Sequence, residues 1–449
     1  MPSPLPVEVS AALAHALVAE IATIANTRIL FLKGPVSNAH GLRPWRAFHD
    51  VDVLADPARV HTVERGMEAA GWQRRPSSLG HSRFVTHSHT YFHPQWPCDV
   101  DIHTSFPGIL LEDSEAFDVL WTQRMDLRIA GRNITTTNFA ASALITALHS
   151  LRAMSEVRHS TEFDYVVKAV TDRMFPEEIR EELLPLAIQL NAVEPLRPFL
   201  ARVGAPLPPP APISPELERW KLHSHQKNQA GNWMLLISQA PARQKPGLLW
   251  RAVFPTTQDL LIDHPEAGES WPRLISARVT RLGRGIRALP RAYTHFRSAK
   301  ETALHTHASA GDSPDVPTAT EPTITPGRPD EAASSFPHEY DMATDDSLDD
   351  RADPGDNAPR IYRSETCAYE TAQDEQSVGL LRLVSPFTQL PLALEGTSCE
   401  LWKMLEHPYS VDRLATHAAT RYGAPLNTVR TDVGTFVDQM VDQGFLTIR

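Results

Sequence analysis

Two acidic runs and one basic turn carry the residues best suited to chemistry. Asp50 and Asp52 flank Val51 in DVDVLA, and Asp99, Asp101 and His103 alternate with Val100 and Ile102 in DVDIHT. Residues two apart on a strand point to one face, so Asp50 and Asp52 project together while Val51 and Val53 enter a core. Carboxylates held side by side repel unless a cation sits between them, and a divalent metal is the usual answer. One carboxylate of the second run can complete a three-acid site. Such a site, with Mg2+ or Mn2+ and substrate phosphates, suits phosphoryl or nucleotidyl transfer. Upstream, Lys33-Gly34 follows the apolar run RILFL, where a turn would bring backbone N–H groups and an ammonium to phosphates.

The elements that must position these groups are readable around them. Apolar residues at helical spacing predict an amphipathic helix from Val7 to Asn26. Arg28–Leu32, Asp50–Ala55 and Asp99–Thr104 read as strands, and Ala58–Ala70 as a helix stopped by Gly71. Asn138–Met154, Thr161–Thr171, Glu177–Asn191 and Pro215–Ser238 are helical in period. The division predicted is an α/β core over 1–135, a helical subdomain of the same unit over 136–300, a linker over 301–365 and a second domain over 370–449. The element order is an α/β or α+β pattern, and the fold class expected is α+β.

Charge supports that division. Residues 301–360 hold 14 Asp or Glu against 3 Lys or Arg, a net of −11, which is also the net charge of the whole chain. That stretch is rich in Pro, Ser, Thr, Ala and Asp, and it is too poor in apolar residues to offset ordering entropy, so a disordered linker is expected. The remainder is neutral, which disfavours nucleic acid as a partner. Arg278, Arg281, Arg284 and Arg287 fall on nearly one helical face and read as a solvated stripe. The cysteines, Cys98, Cys367 and Cys399, are far apart, which argues against a disulfide framework and fits a reducing compartment. No membrane partner is expected, and the localisation expected is cytoplasmic. His81, His87, His89 and His93 cluster, but their spacing matches no common zinc motif.

The run FLKGPVSNAHGLRPWRAFHDVDVLADP, followed by GWQRR and CDVDIHTSF, resembles the uncharacterised nucleotidyltransferase family related to DNA polymerase beta-type enzymes. The features shared are Lys33 with Gly34, Arg46 four residues before the Asp50-Asp52 strand, Gly71-Trp72, and Asp101 with His103. His149 followed by Asp164 resembles the family's helical positions, and VFPTTQDLL its closing segment; the likeness covers about residues 10–295. Thr104 stands where the family has an aromatic. The resemblance implies that Asp50 and Asp52 ligate catalytic Mg2+ or Mn2+, with Asp101 as third ligand and activator of the attacking hydroxyl. It implies that Lys33 and Gly34 sit near nucleotide phosphates and that Arg46 buttresses the carboxylates or reaches a phosphate. Asp164 is carried over as substrate-binding, and His103 either orients a substrate or is structural.

Beyond the linker, short strands at Val378–Val384 and Gln389–Leu394 precede helices at Thr397–Leu405, Val411–Tyr422 with Ser410 as cap, and Thr428–Gln443 with Asn427 as cap. Phe445–Ile448 closes as a strand. This winged-helix order resembles the PqqD-like family, the leader-peptide recognition modules of ribosomal peptide (RiPP) biosynthesis. Asp432 and Asp438 on the last helix disfavour DNA. The resemblance implies capture of a leader peptide as an added strand. A linker of about 60 residues has an r.m.s. span of about 40 Å, enough for tethered delivery. The function expected is therefore modification of a ribosomally made peptide by a metal-dependent transferase using a nucleotide donor. The alternatives are a non-catalytic peptide-delivery scaffold, or a transferase acting on a small molecule or tRNA.

Overall fold

The computed structural model describes residues 5–76, 87–152, 156–172, 177–225 and 358–449, with part of 233–294. Residues 301–357 of the expected linker, Arg281 and Arg284 of the arginine stripe, His81 and much of the closing segment lie outside the described residues.

The chain opens with α1 (Val7–Ile24), whose twelve buried residues leave little of it facing water. It is long and apolar enough to cross a membrane by composition, but here it is a core helix. It packs on a seven-stranded mixed sheet of order β3-β4-β5-β2-β1-β7-β6. The strands are β1 (Ile29–Leu32), β2 (Asp50–Ala55), β3 (Gln73–Arg74), β4 (Ser88–Phe92), β5 (Asp99–His103), β6 (Arg124–Ile129) and β7 (Arg132–Thr137). β2 runs antiparallel to β1 and parallel to β5. Short α2 (Gly34–Ala39) leaves β1, and α3 (Val60–Ala69) packs on α1. Gly66 permits that approach, since a Cβ there would meet Ile21 Cγ2 at 2.4 Å.

The three expected strands hold as β1, β2 and β5. The sequence reading missed β3, β4, β6 and β7. β3 is two residues long, and β7 (RNITTT) has Ile134 as its sole large apolar residue, so alternation gives weak signals there. The core domain also ends a little later than expected, because β7 runs to Thr137.

After α4 (Asp113–Thr122) and the β6–β7 hairpin, helices stack on the other face of the sheet: α5 (Phe139–Leu151), α6 (Val157–Thr171), α7 (Glu177–Gln189), α8 (Val193–Arg202) and α9 (Pro215–His225), with α10 (Lys245–Val253) further on. Asn138 caps α5 through its side chain, which accepts from Ala141 N at 3.0 Å. Leu144, Leu148, Phe163, Val166 and Phe199 share one core with Leu30 and Leu54 of the sheet.

The C-terminal domain begins earlier than the expected residue 370. β8 (Arg360–Arg363) pairs with both β12 (Tyr409–Ser410) and β13 (Leu446–Ile448), while β9 (Cys367–Thr371), β10 (Ser377–Arg382) and β11 (Leu392–Glu395) form a second sheet. The missed strand RIYR is short and flanked by charge, and its partners lie far along the chain. Helices α11 (Gly396–Met404), α12 (Val411–Tyr422) and α13 (Leu426–Asp442) follow. Ser410 caps α12 as expected, and Gly423 ends it at φ 60°. α13 starts two residues earlier than expected, at Leu426 behind Pro425 rather than behind Asn427, as suits proline's fixed φ at a helix entry.

The two domains share a core. Ala368, Ala372, Leu381, Leu383 and Phe387 pack in one cluster with α1 and the sheet. Gly379 brings the backbone of β10 onto α1, where a Cβ would meet Val9 at 2.6 Å.

Candidate active site

The carboxylates converge because β2 and β5 run parallel in register, pairing Asp50 with Asp99 and Asp52 with Asp101. Val51, Val53, Val100 and Ile102 are buried on the opposite face, which anchors both strands and turns the acids the other way. Asp52 is the buried centre. Lys33 Nζ donates to its Oδ1 at 2.8 Å, and His103 Nε2 lies 2.9 Å from the same oxygen. Burial alone would raise the Asp52 carboxyl, but Lys33 and His103 together outweigh it and hold the group well below the usual carboxylate range. Asp50 is at the rim, and its pKa is raised by burial and then by its neighbours Asp52 and Asp101. Thr90 on β4 donates to Asp101. Single ligand atoms of Asp52, Asp101 and His103 lie within 4.8 Å of one another.

The resulting charge count decides what fits. Three acids face one ammonium, and the pKa of the rim carboxyl is raised first by burial and then by the other two. Hard oxygen donors whose repulsion is only partly neutralised suit a hard divalent cation.

Lys33 reaches this centre through an unusual backbone. It sits at φ 51° and Gly34 at φ 45°, the left-handed region that a lysine rarely adopts. The Lys33 carbonyl accepts from Val36 N at 2.8 Å, so the chain turns sharply into α2 and leaves the ammonium over Asp52. The ring of Phe106 lies beneath that ammonium, 5.5 Å from its centroid.

The other expected residues fall in different places. Asp99 is engaged elsewhere, by Arg75 at 2.6 and 2.7 Å, so Asp101 is the β5 acid in the cluster. Arg46 does not touch the carboxylates; it pairs with Glu162 of α6 at 3.3 Å. Asp164 is not brought to the cluster and pairs with Arg202 at 3.2 Å on an exposed face. On α6, Asp164 lies two residues from Glu162 and so faces away from it. Of the histidine-rich segment, His89 pairs with Glu64 at 2.5 Å and His93 lies against Trp72, which makes both structural.

Two groups near the site escaped the sequence reading. His15 of α1 is fully buried against Phe31 and Phe48, and burial lowers its pKa to about 4. Arg43 is 7% exposed, and burial followed by Arg46 lowers its pKa to about 10. A lone histidine in an apolar helix face and one arginine among several offer no periodic signal.

A parallel pair of acidic strands, a lysine turn and a helical subdomain over one face make up the site. Residues 10–205 match the family described as uncharacterised nucleotidyltransferase, and residues 388–446 match coenzyme PQQ synthesis protein D. The two matches thus fall one on each domain of the chain, nucleotidyltransferase-like in the first and PqqD-like in the second. A similar solved chain is the crystal structure of an antigenic nucleotidyltransferase-like protein from Paracoccidioides brasiliensis. It shares 12% identity, covering 44% of this chain and 95% of that one, at a TM-score of 0.28. No curated protein matches the chain.

Proposed function

We propose that this protein transfers a group, most simply a nucleotidyl group, from a nucleotide donor to a hydroxyl of a ribosomally made peptide held by its PqqD domain, in the cytoplasm. The observation that carries the transferase half is the in-register pairing of Asp52 with Asp101 beside Lys33. Asp50, Asp52 and Asp101 would hold Mg2+ or Mn2+, which when bound supplies charge neutralisation at the donor phosphates. Lys33, with Gly34 beside it, is the cation at hand for those phosphates. Asp101, oriented by Thr90, takes the proton as the acceptor oxygen bonds to phosphorus and pyrophosphate leaves. His103 orients Asp52 and is a positioning residue.

The peptide half rests on the PqqD match and on which sheet edge is open. In the sheet β11-β10-β9, the β9 edge is engaged: Tyr369 N donates to Ala130 O at 3.0 Å. β11 is the outer strand on the other side, so a leader peptide would add there by main-chain pairing.

The test is to incubate the full chain with Mg2+, each nucleoside triphosphate in turn, and a short precursor peptide encoded near its gene. The expected result is a mass gain on the core peptide with equimolar pyrophosphate, absent in Asp101→Asn. Pyrophosphate without peptide modification would redirect the reading to a small-molecule or tRNA acceptor. Leader binding with neither product would leave a delivery scaffold.

A further inference from the structure

The helical subdomain carries a second group of metal-ligating side chains, separate from the carboxylates. His149 lies in the last turn of α5, and His159 and Glu162 lie one helical turn apart on α6. Residues three apart on a helix share a face, and this face packs on α5. One ligand atom from each of the three lies within 4.8 Å of the others. The two imidazole rings are 5.1 Å apart.

All three leave a buried polar atom without a partner: His149 Nδ1, His159 Nδ1 and Glu162 Oε2. Glu162 is only 7% exposed, and Arg46 bonds its Oε1 oxygen. A buried carboxylate oxygen accepts and cannot donate, so an unpaired one costs free energy that only a donor or a cation recovers. Neutral imidazole is the form that ligates metal.

The geometry points to a zinc-class divalent cation held by His149, His159 and Glu162, with an anionic oxygen completing its coordination. Two imidazoles and a carboxylate are a borderline-soft donor set, which suits Zn2+ and Co2+ over the Mg2+ expected at Asp52. The anion follows from the surroundings. Arg43, whose Nη2 is itself buried and unpartnered, lies within electrostatic reach of Arg46, Glu162, Asp50 and Arg158. A bare dication so close to the buried Arg43 guanidinium is penalised by Coulomb repulsion. A phosphate or carboxylate oxygen bound to the metal would relieve that repulsion and pair Arg43. This site is independent of the transferase reading and goes beyond it.

The experiment is Co2+ titration of the metal-stripped full chain, read by visible d–d absorption, with and without inorganic phosphate. Zn2+ content by mass spectrometry after dialysis is the second readout. With excess Mg2+ present to occupy the carboxylates around Asp52, wild type should take up one tight equivalent with a four- or five-coordinate spectrum, more tightly with phosphate present. Glu162→Gln and His159→Asn should each weaken uptake at least about tenfold, while Asp101→Asn leaves it unchanged. Circular dichroism establishes that each variant is folded, and the near-isosteric Glu162→Gln carries the test if His159→Asn unfolds. No uptake by wild type in phosphate, uptake unaffected by Glu162→Gln, or uptake lost in Asp101→Asn would overturn the inference.

Discussion

Glu370 of the C-terminal domain caps the backbone of Ala130 in the N-terminal domain: Ala130 N donates to Glu370 Oε2 at 3.0 Å. The bond closes the β6–β7 turn against the edge of β9, where Tyr369 N returns a bond to Ala130 O at 3.0 Å. The two domains are thus joined by main-chain groups as well as by the apolar face around α1. A tether alone would leave the PqqD domain free to move; this contact sets one placement for it.

Glu370 makes that placement sensitive to pH. Burial raises its pKa from 4.5 to about 7, partly offset by the Ala130 bond. A carboxyl raised in the folded state binds its proton more tightly there than when unfolded. Its contribution is complete below pH 4.5 and is lost as pH rises through 7. Glu370→Gln, which stays neutral, should gain melting temperature over wild type between pH 6 and 8 and match it at pH 4.5. Melting curves at each pH provide the comparison, and an unchanged difference across the range would mean the site is not dry.

Gly131 is the second probe of the interface. It lies at φ 69°, and a Cβ there would sit 2.4 Å from Tyr369 Cε1. Gly41 has a similar φ of 61° with nothing within 4 Å, so Gly41→Ala reports backbone strain alone, about 1–2 kcal/mol. Gly131→Ala should cost more than Gly41→Ala and should speed hydrogen exchange in α1 and β10. Equal losses for the two variants would show that Tyr369 moves aside freely.

Fragment boundaries test the domain limits. A fragment of residues 370–449 lacks β8, the partner of both β12 and β13. It should show little cooperative unfolding by circular dichroism. Residues 358–449 should fold but bind a hydrophobic dye, because Ala368, Leu381, Leu383 and Phe387 lose their cover. A well-folded 370–449 fragment would demote β8 from the core of the domain.

Asp52 and Asp101 should separate stability from turnover. Asp52→Asn removes the carboxylate bonded to the Lys33 ammonium, which is 16% exposed; breaking a buried pair on one side costs on the order of 3 kcal/mol, less here because Asp50 still faces the ammonium. Because the Asp52 pKa is depressed, its stabilisation is present above the ordinary carboxyl range and is lost only in strong acid. Asp101→Asn should abolish transfer with a much smaller change in melting temperature. Transfer by Asp101→Asn at near wild-type rate would place the base elsewhere.

Local order was enough to find much of this molecule. A period of two in DVDVLA and DVDIHT puts the acids on one face whatever their neighbours are, and the capping Ser410 and terminating Gly423 act within their own helix. Strand partners are a different matter. That Asp52 meets Asp101, while Asp99 is taken by Arg75, follows from sheet register and from a neighbouring strand too short to announce itself. The same limit hid the pairing of Arg360–Arg363 with Leu446–Ile448 and the meeting of His149 with His159 and Glu162, since helix packing alone aligns those faces. The apolar run of α1 signalled burial but not by what: one side is covered by the first domain's sheet and the other by β10, some 360 residues further along. Contacts at that separation depend on chain closure and packing, and no local pattern in either partner encodes them.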